Sequence, residues 1–145
     1  MKVKTLTAVL AGIEMLSACG TSAPAAEAVS LRQYEVTTET GMPHLEANLR
    51  YATVTEQKCL NTQDLSGAFW MLKHVSLQDC QLVKATESAT ESRYLLECHG
   101  GHGTTGDATW QLGPAAIAGT LNVRLGGKNM TFFQRITAKP LGPCG

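Results

Sequence analysis

The segment Cys98-His99-Gly100-Gly101-His102-Gly103 holds the one constellation in this 145-residue chain whose residue types could ligate a metal. Two imidazoles three residues apart on a glycine-rich loop suit a soft or borderline ion such as copper or zinc. A closed site needs further ligands, and spacing brings neither His44 nor His74 to this loop. The plainer account is that a glycine-rich turn accepts polar residues of any kind, so no metal is assigned and His99 and His102 remain candidates only. Thiol chemistry is the second resource. Cys59, Cys80, Cys98 and Cys144 stand 21, 18 and 46 residues apart, without the C-x-x-C pair typical of zinc sites. Four cysteines in an exported chain point to two disulfides. Of the three pairings open to them, Cys59–Cys80 with Cys98–Cys144 is preferred, because segments adjacent in sequence usually pack together. The chain contains no G-x-S-x-G, S-x-x-K or H-E-x-x-H, and its carboxylates fall singly on polar strand positions. No catalytic residue and no cofactor are assigned.

A fifth cysteine has a different setting. Met1-Lys2-Val3-Lys4 is a short basic stretch, and Thr5 to Ile13 is an apolar run too short to span a membrane and stay there. It ends in Leu16-Ser17-Ala18-Cys19, which resembles the bacterial lipobox, where a diacylglycerol is attached to the thiol and cleavage leaves the cysteine as the new N-terminus. Glu14 puts a carboxylate inside the apolar run, where burial is costly. A plain secretory signal cut within Ala23-Pro24-Ala25-Ala26 is the alternative. On the lipobox reading, residues 1–18 are a signal peptide and Cys19 is the lipidation site. Residues 19–30 form a flexible tether reaching roughly 35 Å when extended, and residues 31–145 form one domain. Two or more acyl chains anchor stably where one does not. Gly20 stands where aspartate resembles an inner-membrane retention signal, so the outer membrane, facing the periplasm, is the expected address.

Setting aside Lys2, Lys4 and Glu14 from 12 basic and 12 acidic residues leaves 10 against 11. A charge near minus one offers no general attraction to nucleic acid. The hydrophobic share of 43% is that of a globular chain, and a domain of about 115 residues buries about two-thirds of its surface.

The elements that must position these groups are mostly strands. Tyr34, Val36 and Thr38 alternate with polar residues over Arg32–Thr40, and Leu45, Ala47, Leu49 and Tyr51 do so before a β-branched stretch that runs on to Cys59. With Gly41-Met42-Pro43 between them, the two segments read as an antiparallel hairpin. The period then changes: Leu65, Phe69 and Leu72 follow capping residues at helical spacing, which predicts a short helix over Thr62–Lys73, flanked by Cys59 and Cys80. Further strands are expected at Gln81–Thr86, Ser92–Cys98, Thr105–Leu112, Ile117–Leu125 and Asn129–Ala138. Gly126-Gly127-Lys128-Asn129 forms a hairpin turn, and Pro140, Gly142 and Pro143 end the last strand before Cys144. Phe132 and Phe133 must point to opposite faces, and whichever is exposed hints at a contact surface. The expected fold is mostly β: a single antiparallel meander sheet curled into an open barrel, with one short helix, or alternatively a β-sandwich.

Several segments together carry a family likeness. They are Tyr34-Glu35-Val36-Thr37-Thr38, Gly41-Met42-Pro43, Cys59-Leu60-x-Thr62, Asp79-Cys80, Glu97-Cys98-His99-Gly100, Gly103-Thr104-Thr105-Gly106-Asp107-Ala108 and Leu141-Gly142-Pro143-Cys144. In this order, over residues 31–145, they resemble the bacterial exported proteins grouped as domain of unknown function 3617. The chain departs from that pattern at Tyr34, where the family usually shows tryptophan; both are amphipathic aromatics. The resemblance implies an exported β-rich domain, often a lipoprotein, and carries over no catalytic residue.

The leading functional expectation is a non-catalytic envelope lipoprotein that binds an apolar ligand or a protein partner on the concave side of its sheet. The alternatives are periplasmic metal binding through His99 and His102, and an enzyme of unrecognised type.

Overall fold

Period-two alternation dominates the chain, and the computed structural model turns it into seven strands. It describes residues 31–42, 51–100, 102–127 and 130–145. The signal peptide, Cys19, the tether, Leu45 to Leu49, and Lys128-Asn129 of the expected turn lie outside the described residues. The strands are β1 (Arg32–Gly41), β2 (Tyr51–Leu60), β3 (Cys80–Glu87), β4 (Glu91–Cys98), β5 (Thr105–Leu112), β6 (Ile117–Leu125) and β7 (Met130–Pro143). All belong to one antiparallel sheet in the order β2-β1-β7-β6-β5-β4-β3. The expected single antiparallel sheet is what forms. Strands β3 to β7 make the meander, while β1 lies beside β7, so the first hairpin docks onto the last strand.

Among the described residues the sheet does not close, and β2 and β3 are its edges. Both edges carry charge on the core side. Glu56 and Lys58 stand opposite Val36 and Tyr34 and pair with each other. Lys84 stands opposite Tyr94, 5.9 Å over its ring. Inward charges on an edge strand discourage pairing with another chain. The Lys84 ammonium also donates to the Gln63 carbonyl at 2.8 Å, only three residues past the end of β2, tying one edge to the chain that leaves the other.

Residues 61–79 travel diagonally from the end of β2 to the start of β3, across the inner face of the sheet. The expected helix does not form there. Two 3-10 turns, Trp70–Lys73 and Val75–Leu77, are its regular parts. Local chemistry explains the difference. Asn61 Oδ1 accepts from Gln63 N at 3.0 Å and Asp64 Oδ1 from Ser66 N at 3.0 Å, two side-chain turns that compete with helical hydrogen bonds. The residues that bury are Leu65, Phe69, Met71 and Leu77, a spacing set by the sheet below and not by a helix.

This segment is the second layer. Phe69 and Trp110, both fully buried, meet with ring centroids 5.1 Å apart. Leu65 N donates to the Tyr94 hydroxyl at 3.4 Å. Buried Gln134 links three elements: its Oε1 accepts from Met71 N at 3.4 Å, and its Nε2 donates to Thr40 Oγ1 at 3.0 Å. Gly119 lies directly opposite Trp110, and a Cβ there would meet the indole ring at 2.7 Å. Only glycine lets this indole lie flat on β6.

The cysteines correct the expected pairing. Cys59 bonds to Cys144 and Cys80 to Cys98, in place of Cys59–Cys80 and Cys98–Cys144. Cys59 and Cys80 flank the crossing segment and therefore sit on opposite edges of the sheet. Cys80 and Cys98 instead face each other across β3 and β4, with Cα atoms 4.0 Å apart. Cys144 lies just past the end of β7, where Arg32 of β1 has Pro143 on one side and Leu60 on the other. From there it reaches across the start of β1 to Cys59.

Pro140 does not end β7, which continues to Pro143. Strand β6 stops at Ile117 opposite Ala138, so beyond that point β7 is paired only with β1. Proline is tolerated at such a partial edge, and Leu141 forms a bulge between Pro140 and Gly142. Gly142 supplies the φ of 146° there.

Candidate functional site

The β4–β5 loop carrying His99 and His102 is held by its backbone. His99 N donates to the Asp79 carbonyl at 2.9 Å, which fastens the loop beside the Cys80–Cys98 bridge. Its other side rests on the β6–β7 turn: Gly126 N donates to Thr104 Oγ1 at 3.2 Å, and a Cβ at Gly126 would collide with the His102 carbonyl. Gly103 and Gly127 take φ values of 70° and 78°. The two imidazoles line separate depressions. His99 lies with Gln78, Asp79 and Cys80, and His102 with Thr105, Arg124 and Leu125. Among the described residues, no three of His, Cys, Asp and Glu gather into a metal-binding group.

The described titratable groups with displaced proton affinity lie on the surface. The Ser66 hydroxyl and amide hold the Asp64 carboxyl below its usual range. Glu87 raises Lys84 above the ordinary lysine value. Arg93 and Gln111 lower Glu91, and Glu91 in turn raises Arg93. Each has a neighbouring partner, and none lines a cavity.

Besides a depression of about 230 Å³ beside Glu39, Ala52, Phe133 and Arg135, two concavities remain. A broad trough of about 500 Å³ crosses the outer face over Leu95, Asp107, Asn122, Arg124 and Phe133. Phe133 lies against Gly41, where a Cβ would strike its ring, and the Arg135 guanidinium sits 4.6 Å over it. Phe132 is buried. The adjacent phenylalanines therefore do point to opposite faces, and neither is fully exposed.

The second concavity opens on the inner side, at the end of the sheet where β1 stops, β6 turns into β7 and the crossing segment passes. It holds about 170 Å³ and is lined mainly by Met42, Met71, His74, Leu125, Met130 and Phe132. Elsewhere the inner face is covered by Leu65, Phe69 and Leu77 of the crossing segment. Met71 is anchored through its amide to Gln134, and His74 Nδ1 accepts from Ser76 N at 3.2 Å. Sequence reasoning missed this group, because Met42, Met71 and Met130 stand 29 and 59 residues apart on unrelated elements. One signal was present: they are the only methionines after residue 30.

Fold and pocket together define a disulfide-stapled β-sheet domain with one face covered by its own chain. Two disulfides fit an oxidising, exported environment. Among the described residues, no helix is long and apolar enough to cross a membrane. No family model matches the chain, and no curated protein or solved structure matches it either.

Proposed function

We propose that this protein is a non-catalytic binding protein of the bacterial envelope, anchored by lipid on Cys19, that takes one small ligand into the methionine-lined pocket. The observation that carries this reading is the pocket itself, where among the described residues the covering segment and the sheet leave space bordered by apolar side chains. At about 170 Å³ it lies below the 300–1,000 Å³ of ordinary small-molecule sites, so its occupant has few heavy atoms. A non-catalytic role is supported by the placement of the displaced titratable groups on the surface, each matched by a neighbour, where ordinary solvation and pairing account for them. The address rests on the basic start, the short apolar run, Leu16-Ser17-Ala18-Cys19 and the two disulfides, with Gly20 favouring the outer membrane.

Native mass spectrometry of protein purified from the envelope tests the ligand claim. The expected result is a single small adduct, absent from a Ser76→Trp variant whose indole plugs the mouth. Identical spectra from both proteins would refute it. Cys19→Ala is expected to yield soluble, unacylated protein while the wild type partitions into detergent, and an unmodified wild-type Cys19 would remove the anchor.

A further inference from the structure

Of the five methionines in the chain, the three that lie beyond residue 30 all line one pocket, together with an imidazole. They come from three places: Met42 from the end of β1, Met71 from the crossing segment and Met130 from the start of β7. Methionine is often a flexible filler of irregular cores, but filler closes space, and here three methionines border a cavity that remains. Met71 is buried, whereas Met42 and Met130 are half-buried at strand ends, so the group runs from the interior towards the mouth. We infer that Met42, Met71 and Met130 form a thioether site for a soft monovalent metal ion, copper(I) in the cell.

The chemistry follows from the donors that remain. Thiolates are the usual soft ligands, but all four cysteines of the domain are consumed in disulfides. Thioether sulfur is then the soft donor left, and it selects copper(I) over harder divalent ions. Thioethers carry no charge, so the site offers a soft monovalent ion polarisable donors without a carboxylate, and no carboxylate lines the pocket. A divalent ion would give up far more hydration on entering so apolar a site. His74 stands at the rim with Nδ1 already accepting from Ser76 N, which leaves only Nε2 for a fourth contact. The three sulfurs are therefore the ligand set. Met71 is the fixed member, since Gln134 holds its backbone and Thr40 holds Gln134.

This inference rests on the pocket being the ligand site and names the class of ligand, so the experiment separates the two claims. Mature protein purified from the envelope, its Cys19 thiol acylated, is titrated with silver(I), a redox-stable soft probe, in chloride-free buffer, and with copper(I) under ascorbate against a chromogenic chelator. Met42→Leu, Met71→Leu and Met130→Leu keep the volume and remove the sulfur. Expected are one silver(I) per chain and at least a tenfold loss of affinity in each variant, with zinc(II) unable to compete. Circular dichroism checks that each variant remains folded. Silver(I) binding unchanged in Met42→Leu and Met130→Leu would overturn the thioether site, as would displacement by zinc(II). No silver(I) binding, with the native adduct still lost in Ser76→Trp, would overturn the metal class while leaving the pocket as a ligand site. Loss of both signals would remove both claims.

Discussion

The two ends of the sheet are secured in opposite ways. At one end Cys144 reaches Cys59 across the start of β1, joining residues 85 apart and tying the last strand to the first hairpin. At the other end Cys80–Cys98 spans 18 residues between strands that already pair, next to the histidine loop and at the same end of the sheet as the methionine pocket. The first bridge constrains the topology, whereas the second reinforces a local contact. The methionine pocket lies at the end with the local bridge.

The sharpest way to break this comparison is to remove each bridge in turn. On the chain-entropy account, loss of Cys59–Cys144 through a double serine substitution costs about 4.5 kcal/mol, and loss of Cys80–Cys98 about 3 kcal/mol. Urea unfolding under non-reducing conditions measures both. The reverse order would mean that the shorter bridge is the structural one. A smaller effect is expected from the glycines of the two layers. Gly119→Ala pushes a methyl group into the Trp110 ring and should cost about 1–3 kcal/mol. Gly67→Ala, on the covering segment with open space around it, should be neutral or stabilise by up to about 1 kcal/mol. Thermal unfolding of the pair tests whether the sheet, and not its cover, carries the tight packing.

At the pocket end, the loop is held by backbone contacts and not by its imidazoles. His99→Ala/His102→Ala is therefore expected to change stability by no more than about 0.5 kcal/mol. A larger loss would show that the histidine side chains help to build that end. The smallest effect is electrostatic. The Asp64 carboxyl titrates below its usual value because Ser66 donates to its ionised form. A depressed folded value means that the stabilisation is present above the unfolded value of about 3.9 and is lost as pH falls through the folded one. Asp64 is exposed, so solvent screening limits the change to a few tenths of a kcal/mol. Urea midpoints of wild type and Asp64→Asn should differ near neutrality, with wild type the more stable, and converge as the pH falls below the depressed folded value.

Alternation alone was enough to place most of the strands. Thr105–Leu112 and Ile117–Leu125 are expected and observed with the same bounds, because one wet and one buried face impose a period of two on any half-buried strand. The expected hairpin of β1 and β2 forms, as does the single sheet. The helix failed because Leu65, Phe69 and Leu72 mimic helical spacing while Asn61 and Asp64 direct the backbone into turns, and a cover's contacts are dictated by the face beneath it. Pro140 misled because proline excludes only a fully paired strand.

What the sequence determined by itself was local: strand periods, an even number of thiols in the domain, the turn glycines, and a segment of changed period between β2 and β3. Only the tertiary structure decided which thiols meet, that this segment crosses the whole sheet, and that Met42, Met71 and Met130 share a pocket. The physical reason is the same in each case. Residues far apart in the chain meet only once β1 docks on β7 and residues 61–79 bury Phe69 against Trp110, and no local spacing encodes where those surfaces come together.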